Sequence, residues 1–286
     1  HSAVVMILSL ISFCIAMLLT PVYTHFAYKY KWWKKRDRTH STTGEALSVI
    51  AQLRIKRTIP RMAGLIIVIT VVLVTLAFNL DRGQTWLPLA GLIGGAIVGI
   101  IDDIIYVSGK GGTVVGLSAK LKFTMITAIA AAAAVFFFYK LGYNSIYIPE
   151  YGDLSIGWLL IPLFILVVVS TGNAVNISDG IDGLAGGLLI NAYAAFGVIA
   201  LFQGNYGIAG FCFTVVGALL SYLWFNIAPA RFVMGDVGSF ALGTALGVVA
   251  MLRDTLVLLP LIGLGFVLEA GCSLRQIRSK KLFHRK

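Results

Sequence analysis

Five of the twelve acidic residues in this 286-residue sequence stand at the ends of long apolar segments. They are Asp102, Asp103, Asp179, Asp182 and Asp236. Carboxylates beside a bilayer are costly and repel one another, so a cluster of them needs a cation or a proton. We therefore expect these side chains to converge on one face of a membrane and to form a site for a cation.

The pair Asp102 and Asp103 ends an apolar segment in GAIVGIIDDIIYV. A charged helix end that anchors a membrane span is the simpler interpretation. However, the nearest basic residue that follows is Lys110, and such an end favours Lys or Arg over two carboxylates. The pair is therefore interpreted as functional.

The segment GNAVNISDGIDGLAGG combines two carboxylates with amides. If it is helical, Asp179 and Asp182 lie on one face, and Asn173 and Asn176 lie nearby. A polar turn is the alternative, because Asp-Gly is a common turn dipeptide. Two Asn and two Asp within ten residues exceed what a turn requires, which favours a binding site.

Asp236 lies between Gly235 and Gly238 in MGDVGSFALG, just before another apolar segment. An N-cap for that helix is one interpretation, and a ligand for Mg²⁺ beside a phosphate is the other. Carboxylates with basic residues opposite them, and no Ser-His-Asp or Cys-His arrangement, indicate metal-assisted phosphoryl transfer. Such chemistry needs charge neutralisation more than a covalent nucleophile.

The elements that must position these residues are membrane helices. The sequence is 58% hydrophobic and 12% charged, with a mean hydropathy of +0.90, which is typical of a polytopic membrane protein. The apolar segments show no strand-type alternation, so we predict an all-α helix bundle. The predicted spans are 3–27, 62–80, 86–101, 118–140, 154–172, 184–202, 206–226, 238–252 and 255–274.

The net charge of +11 does not indicate a nucleic-acid partner, because the basic residues lie between the spans. Twenty of the 23 Lys and Arg residues fall in loops on one side of the predicted bundle. The positive-inside rule places these loops in the cytoplasm and the N-terminus outside. Attraction to anionic lipid accounts for most of this excess.

Four blocks of the sequence resemble the polyprenyl-phosphate N-acetylhexosamine-1-phosphate transferase superfamily. They are KRTIPRMAGL at 56–65, GIIDDIIYV with GLSAKLK at 99–122, NAVNISDGIDGLAGG at 173–187, and FNIAPARFVMGDVGSFALGTALG at 225–247. The order of the blocks is that of the family, and they span nearly the whole chain. The closest resemblance is to the peptidoglycan branch, the phospho-N-acetylmuramoyl-pentapeptide transferases.

The resemblance implies roles for individual residues. Asp236 is then the magnesium ligand, and Asp102 and Asp103 are the essential pair near metal and phosphates. The residues that match the nucleotide-sugar site are Lys56, Lys122, Asn173, Asn176, Asp179, Asp182 and Asn226. One departure is Val233, which stands where the family usually has an aromatic residue, so the resemblance does not extend to a ring for uracil stacking at this position.

The family fold implies ten helices and a cytoplasmic active site. Nine predicted spans therefore suggest a single domain over residues 1–286 that stops before the last helix. The family's histidine-rich motif precedes that helix, and none of the four histidines matches it. The implied location is a bacterial plasma membrane, and a homodimer is a candidate assembly.

The implied reaction moves phospho-N-acetylmuramoyl-pentapeptide from UDP to undecaprenyl phosphate, with Mg²⁺ as cofactor and the prenyl chain in an apolar groove. Two alternatives stay open. The first is the N-acetylglucosamine-1-phosphate branch, although Glu269 in GFVLEAGC resembles the muramoyl branch. The second is an ion-coupled transporter, whose carboxylates usually lie near the bilayer midplane.

Overall fold

The computed structural model describes residues 2–33, 59–81, 83–108, 116–148, 151–252 and 255–283. The side chains of residues 274 and 277–283 lie outside this description. Within the described ranges the chain is a bundle of helices with one short hairpin. The predicted all-α membrane fold is confirmed.

Ten helices follow one another along the described ranges. They are α1 (Ser2–Lys29), α2 (Gly64–Phe78), α3 (Trp86–Ser108), α4 (Ala119–Val135), α5 (Leu160–Ser178), α6 (Leu184–Phe202), α7 (Tyr206–Asn226), α8 (Gly235–Leu252), α9 (Leu259–Ile262) and α10 (Leu264–Phe283). A π-helical turn, Phe136–Lys140, extends α4, and 3₁₀ turns precede α5 and α9. Seven of the described helical segments are long and apolar enough to cross a membrane.

All nine predicted spans coincide with helical segments, but two differ in form. The ninth span was predicted to be continuous over 255–274, whereas the structure bends it by 70° at a break between α9 and α10. Gly263 lies at this break, and glycine weakens a helix because it has no side chain to restrict its backbone. The other span that differs is α2. It has 15 residues and is about 22 Å long, which is shorter than the hydrocarbon layer.

A two-stranded hairpin precedes α5 and was not predicted. Strand β1 (Ser145–Ile148) pairs antiparallel with β2 (Gly152–Ser155), so the predicted start of a span at 154 is wrong. Four-residue strands carry too short an alternation to be recognised. The hairpin lies at the end of α4 and the start of α5.

Helix α8 lies at the centre of the bundle and contacts α2, α3, α5 and α6. All eighteen of its residues are buried. Close packing against α3 depends on Gly91, Gly95 and Gly99, which recur every four residues along one face. A Cβ at Gly99 would lie 2.2 Å from the carbonyl oxygen of Asp236, so only glycine allows this approach.

Candidate active site

The two adjacent aspartates are buried within α3. Asp102 is 3% exposed and Asp103 is 0% exposed. The helix was predicted to end at residue 101, but it continues to Ser108, so the pair lies inside the helix, one and a half turns before its end. An uninterrupted helix fixes both carboxylates relative to α8.

Asp236 lies in the first turn of α8, which begins where the chain turns sharply at Gly235. Gly235 has a φ of +76°, a conformation that other residues rarely adopt. The backbone N–H of Val237 donates to Oδ2 of Asp103 at 3.1 Å. A carboxylate of α3 therefore caps the N-terminus of α8, where the helix dipole favours a negative charge.

The carboxylates of Asp102, Asp103 and Asp236 each offer an oxygen within 4.8 Å of the other two. We call these three residues the acidic centre. Oδ1 of Asp103 is buried and makes no hydrogen bond within the described residues. Three carboxylates at this spacing are the hard oxygen donors that Mg²⁺ prefers, so the residues present fit a divalent cation.

Lys122, in the first turn of α4, bridges two members of the acidic centre. Its Nζ lies 2.8 Å from Oδ2 of Asp102 and 2.7 Å from Oδ2 of Asp236. The backbone N–H of Leu117 donates to the other oxygen of Asp102 at 2.5 Å. The segment that leads into α4 is therefore attached to the end of α3 by the carboxylate.

Arg61 is the charged residue that sequence reasoning missed. Its Nε lies 3.3 Å from Oδ1 of Asp103, and its Nη2 lies 3.3 Å from Oδ1 of Asp236. The guanidinium also lies 4.2 Å from the ring centre of Tyr106. Arg61 belongs to the block at 56–65 in which we selected Lys56, and a sequence without a fold cannot tell which basic residue of that block reaches the carboxylates.

The charge balance of the acidic centre depends on Arg61 and Asp179, which lie outside the spans. Burial lowers the pKa of Arg61, but the negative charges of Asp103 and Asp236 outweigh it and raise that pKa overall. Burial raises the pKa of Asp179 to about 8. Arg61 is therefore charged at neutral pH, whereas Asp179 is mostly protonated and adds little negative charge.

The C-terminal end of α5, with the Asp179 that caps it, contacts the start of α8. The N–H of Gly235 donates to Oδ2 of Asp179 at 3.1 Å, and Nδ2 of Asn176 donates to Oγ of Ser239 at 2.9 Å. Both bonds end within three residues of Asp236. Asp179 and Asn176 therefore orient the turn that presents Asp236.

Asn226 and Asp182 hold the loop between α7 and α8. Asn226 is 4% exposed, its Oδ1 accepts from the N–H of Gly183 at 2.9 Å, and its Nδ2 donates to the carbonyl of Phe232 at 2.9 Å. Oδ2 of Asp182 accepts from the N–H of Ala230 at 3.3 Å. In this structure, Asn226 uses both ends of its amide to position backbone, and its role in the nucleotide-sugar site stays a prediction.

Of the other residues selected from the sequence, Asn173 and Glu269 lie within the described ranges and make no hydrogen bond or ion pair with the acidic centre there. Nδ2 of Asn173 donates to the carbonyl of Val169 on its own helix at 2.8 Å. Glu269 is half-buried on α10. Lys56 lies outside the described residues.

Phe232, beside the position where an aromatic ring was expected, packs into the protein. It is 3% exposed and lies 5.5 to 5.9 Å from the rings of Tyr23, Tyr222 and Phe225. Its ring supports the loop. Val233 itself is half-buried.

An apolar cavity of about 760 Å³ lies between α3 and α4. It is lined by Trp86, Ala90, Ile129, Ala133 and Phe136, and Lys140 is the one charged residue among the described residues of its lining. Trp86 begins α3, whereas Asp102 stands sixteen residues later, about 24 Å along the helix. The cavity is therefore at the end of the bundle opposite to the acidic centre.

These features define a multi-pass membrane protein whose carboxylates and cations meet at one end of the bundle. In comparison with known proteins, the family described as glycosyl transferase family 4 matches residues 85–253. This range includes all three members of the acidic centre and Lys122.

Curated relatives match over most of the chain. A protein of Chloroflexus aggregans named phospho-N-acetylmuramoyl-pentapeptide-transferase is 37% identical over 279 residues, which is 95% of this chain and 74% of the relative. A protein of the same name from Geobacillus thermodenitrificans is 34% identical over 98% of this chain and 84% of the relative. A third, from Syntrophus aciditrophicus, is 35% identical over 81% of this chain and 69% of the relative.

The chain belongs to glycosyl transferase family 4, together with the phospho-N-acetylmuramoyl-pentapeptide-transferases. The family resemblance read from the four sequence blocks and the prediction of an enzyme are confirmed. The ion-coupled transporter is set aside. The roles of the individual site residues stay predictions, which the geometry makes specific.

Proposed function

We propose that this chain transfers phospho-N-acetylmuramoyl-pentapeptide from its UDP carrier to undecaprenyl phosphate, releasing UMP and forming lipid I of peptidoglycan synthesis. The observation that carries the proposal is the meeting of the acidic centre with Lys122 and Arg61 at one end of the bundle. The relatives bearing the transferase name support the substrate assignment. The proposal treats residues 1–286 as one transferase domain.

The reaction is a displacement at the sugar-linked phosphorus. An oxygen of the lipid phosphate forms a new bond to that phosphorus, and the bond to the bridging oxygen of the diphosphate breaks. UMP leaves with the electron pair of that bond. Both reactants are anions, so the protein must bring negative groups together and neutralise the charge that develops on the leaving phosphate.

The residues of this chain divide into two sets by charge. Asp236, with Asp102 and Asp103, would hold Mg²⁺, which when bound neutralises diphosphate charge and stabilises the leaving group. Lys122 and Arg61 are cations within 3.3 Å of those carboxylates and can bind phosphate oxygens. Lys56 is a further candidate for the same cleft.

The positioning residues act on the acidic centre through the backbone around the start of α8 and through the hydroxyl of Ser239. Asn176 and Asp179 hold the start of α8, while Asp182 and Asn226 hold the loop before it. Since phosphoryl transfer depends on orientation, small movements of this loop should lower the rate. In the family arrangement, Asn173 completes the nucleotide-sugar side.

We further propose that the acidic centre faces the cytoplasm of a bacterial cell, at the plasma membrane. The sequence supports this, because Asp102, Asp103 and Asp236 stand at the span ends that face the loops predicted to carry 20 of the 23 Lys and Arg residues. UDP-sugars are water-soluble anions, and a basic face attracts them. A homodimer stays a prediction.

The test measures product formation by the purified chain in detergent with undecaprenyl phosphate and Mg²⁺. UDP-N-acetylmuramoyl-pentapeptide and UDP-N-acetylglucosamine are supplied in separate reactions, and released UMP is quantified. We expect UMP from the first substrate alone, and no UMP in excess chelator. UMP from the second substrate alone would assign the chain to the N-acetylglucosamine branch, and activity in chelator would contradict the metal role.

A further inference from the structure

Arg61 occupies oxygens that a divalent cation would also use. Its Nη2 lies 3.3 Å from Oδ1 of Asp236, and its Nε lies 3.3 Å from Oδ1 of Asp103. Mg²⁺ binds carboxylate oxygen at about 2.0–2.1 Å. A guanidinium and a divalent cation on the same two carboxylates repel each other strongly in a largely buried site. The two cations therefore compete.

Arg61 is held less tightly than the other cation of the site. Lys122 approaches Asp102 and Asp236 at 2.8 and 2.7 Å, about half an ångström closer than either contact of Arg61. Nε of Arg61 also makes no hydrogen bond within the described residues, although it is buried. Of the two cations, Arg61 is therefore the one that a metal ion displaces more easily.

The guanidinium of Arg61 also contacts an aromatic ring, and the backbone of Arg61 is held by hydrogen bonds of its own. The ring of Tyr106, about one turn after Asp103 on α3, lies 4.2 Å from the guanidinium carbon, a distance at which cation and ring attract. The backbone of Arg61 is held separately, since its N–H donates to Trp32 at 2.8 Å and its carbonyl accepts from Tyr23 at 2.6 Å. The side chain can therefore move while the segment stays in place.

We infer that Arg61 is a displaceable counter-ion, which offsets one negative charge of the acidic centre while no nucleotide is bound and moves onto a substrate phosphate as the divalent cation takes its place. The inference rests on the proposed function, because it requires a diphosphate substrate. Phosphate suits this exchange, since a guanidinium offers two parallel N–H donors to phosphate oxygens. No bond is made or broken, and the exchange is one of ion pairs.

Cooperative binding follows from this exchange. Three ionised carboxylates and two cations leave one negative charge, so the metal-free centre attracts a divalent cation only weakly. A diphosphate that draws Arg61 away raises the affinity for the metal ion, and by linkage the metal ion raises the affinity for the diphosphate. Arg61 is thus a positioning residue that couples the two ligands.

The experiment uses Mn²⁺ as a spectroscopic probe of the whole protein in detergent, with free Mn²⁺ measured by electron paramagnetic resonance. Without nucleotide, Arg61→Gln should bind Mn²⁺ about tenfold more tightly than wild type, within the usual range of couplings between sites. UDP, corrected for its own affinity for Mn²⁺, should tighten Mn²⁺ binding in the wild type and much less in Arg61→Gln. Arg231→Gln is the matched control, because Arg231 is exposed and stacks on Phe225.

The sign of the change separates this inference from a structural role. If Arg61 only supported the fold, its replacement would misplace the carboxylates, and Mn²⁺ binding would weaken or stay the same. Either result would overturn the inference. Arg61→Met is a second variant in case Arg61→Gln does not fold, with the same expectation. In addition, wild-type protein in which UDP leaves Mn²⁺ affinity unchanged would refute the inference without any variant.

Failure of the proposed function gives a different pattern. A wild-type enzyme that releases UMP with Mg²⁺, but whose Arg61 variants do not bind Mn²⁺ more tightly, would refute the counter-ion and leave the transferase proposal intact. A wild-type protein that neither binds Mn²⁺ with UDP nor releases UMP would refute both. The assay of UMP release and the Mn²⁺ titration are therefore run on the same preparations.

Discussion

Helix α1 is more apolar than helix α8, but α8 is far more buried inside the protein. Among the seven long apolar helices of the described ranges, α1 is the most apolar and α8 the least. Yet 28% of the most apolar window of α1 is buried inside the protein, whereas the whole of α8 is buried. The helix with the fewest apolar side chains therefore forms the centre of the bundle.

This inversion follows from the solvent. Lipid tails are as apolar as a protein core, so large apolar side chains such as Leu10 and Leu18 of α1 gain little by turning inward, and they are 61% and 72% exposed. Glycine, Ser239 and Thr244 on α8 gain close packing and hydrogen bonds there. Asp236 can lie in the bundle only because charged partners surround it.

The largest expected effect is that of Asp236→Asn on α8. Loss of one carboxylate charge removes a candidate metal ligand and should lower turnover on the order of 10²-fold or more, by analogy with the loss of one preorganised contact in a transition state. UMP release measures it, and thermal unfolding in detergent should change little. The matched control is Asp153→Asn on the exposed strand β2, and equal turnover of the two variants would contradict the assignment.

A methyl group at Gly99 should come next. A Cβ there would lie 2.2 Å from the carbonyl oxygen of Asp236 and 2.3 Å from Cα of Val237. Both are backbone atoms, which cannot rotate away as a side chain can. Gly99→Ala should lower stability by roughly 1–3 kcal/mol, as overpacking does, and should also lower turnover because the start of α8 moves.

Gly187→Ala on α6 is the control for this variant, since no atom of the described residues beyond its own turn of helix lies within 4 Å of the added methyl. That change should be neutral or stabilising, because alanine is the better helix former. Thermal unfolding of both variants in one detergent measures the difference. Equal melting temperatures would show that α3 and α8 can separate without loss.

A smaller effect is expected from a hydroxyl of α8 that bonds to a neighbouring helix, in comparison with a hydroxyl of α1 that bonds within its own helix. Oγ1 of Thr244 on α8 donates to the carbonyl of Gly91 on α3 at 2.8 Å, besides contacts within its own helix. Thr244→Val should cost about 0.5–1.5 kcal/mol of stability, the usual worth of one hydrogen bond. Thr24→Val on α1 is the control, since that hydroxyl donates to its own helix at Thr20.

A Thr24→Val variant as destabilised as Thr244→Val would contradict a stabilising role for the hydrogen bond between α8 and α3. Urea or thermal unfolding in the same detergent gives both values. A double variant with Gly91→Ala would show whether the two helices couple, because contacting positions are not additive.

The smallest effect is expected at the lipid-facing surface of α1. Leu18 is 72% exposed, so Leu18→Ala should change stability by less than about 0.5 kcal/mol. Leu8 of the same helix is 5% exposed, and Leu8→Ala should cost about 2 kcal/mol or more because it leaves a cavity. A large loss at Leu18 would indicate that this face is covered by protein, as in the predicted homodimer.

Much of the fold was predictable from the sequence because the bilayer imposes it. Backbone polar groups in lipid must be satisfied within a helix, so apolar length alone predicted nine spans, each of which coincides with a helical part of the described chain. The residues of the acidic centre were also found from the sequence, since a carboxylate at the membrane is costly and is retained for a reason. Hairpin 145–155 and the bend at Gly263 were missed, because neither depends on apolar length.

The tertiary structure alone decided which polar groups meet. Arg61 and Lys56 share one block of sequence, and only the packing of α2 against α8 brings Arg61 to Asp103 and Asp236. The sequence predicts that the amide of Asn226 binds a ligand. In the fold, however, its oxygen and its nitrogen both form hydrogen bonds to backbone. Residue types and hydropathy depend on the local chain, whereas the partner of a charge depends on which helices touch across long separations in sequence, and that is determined by packing.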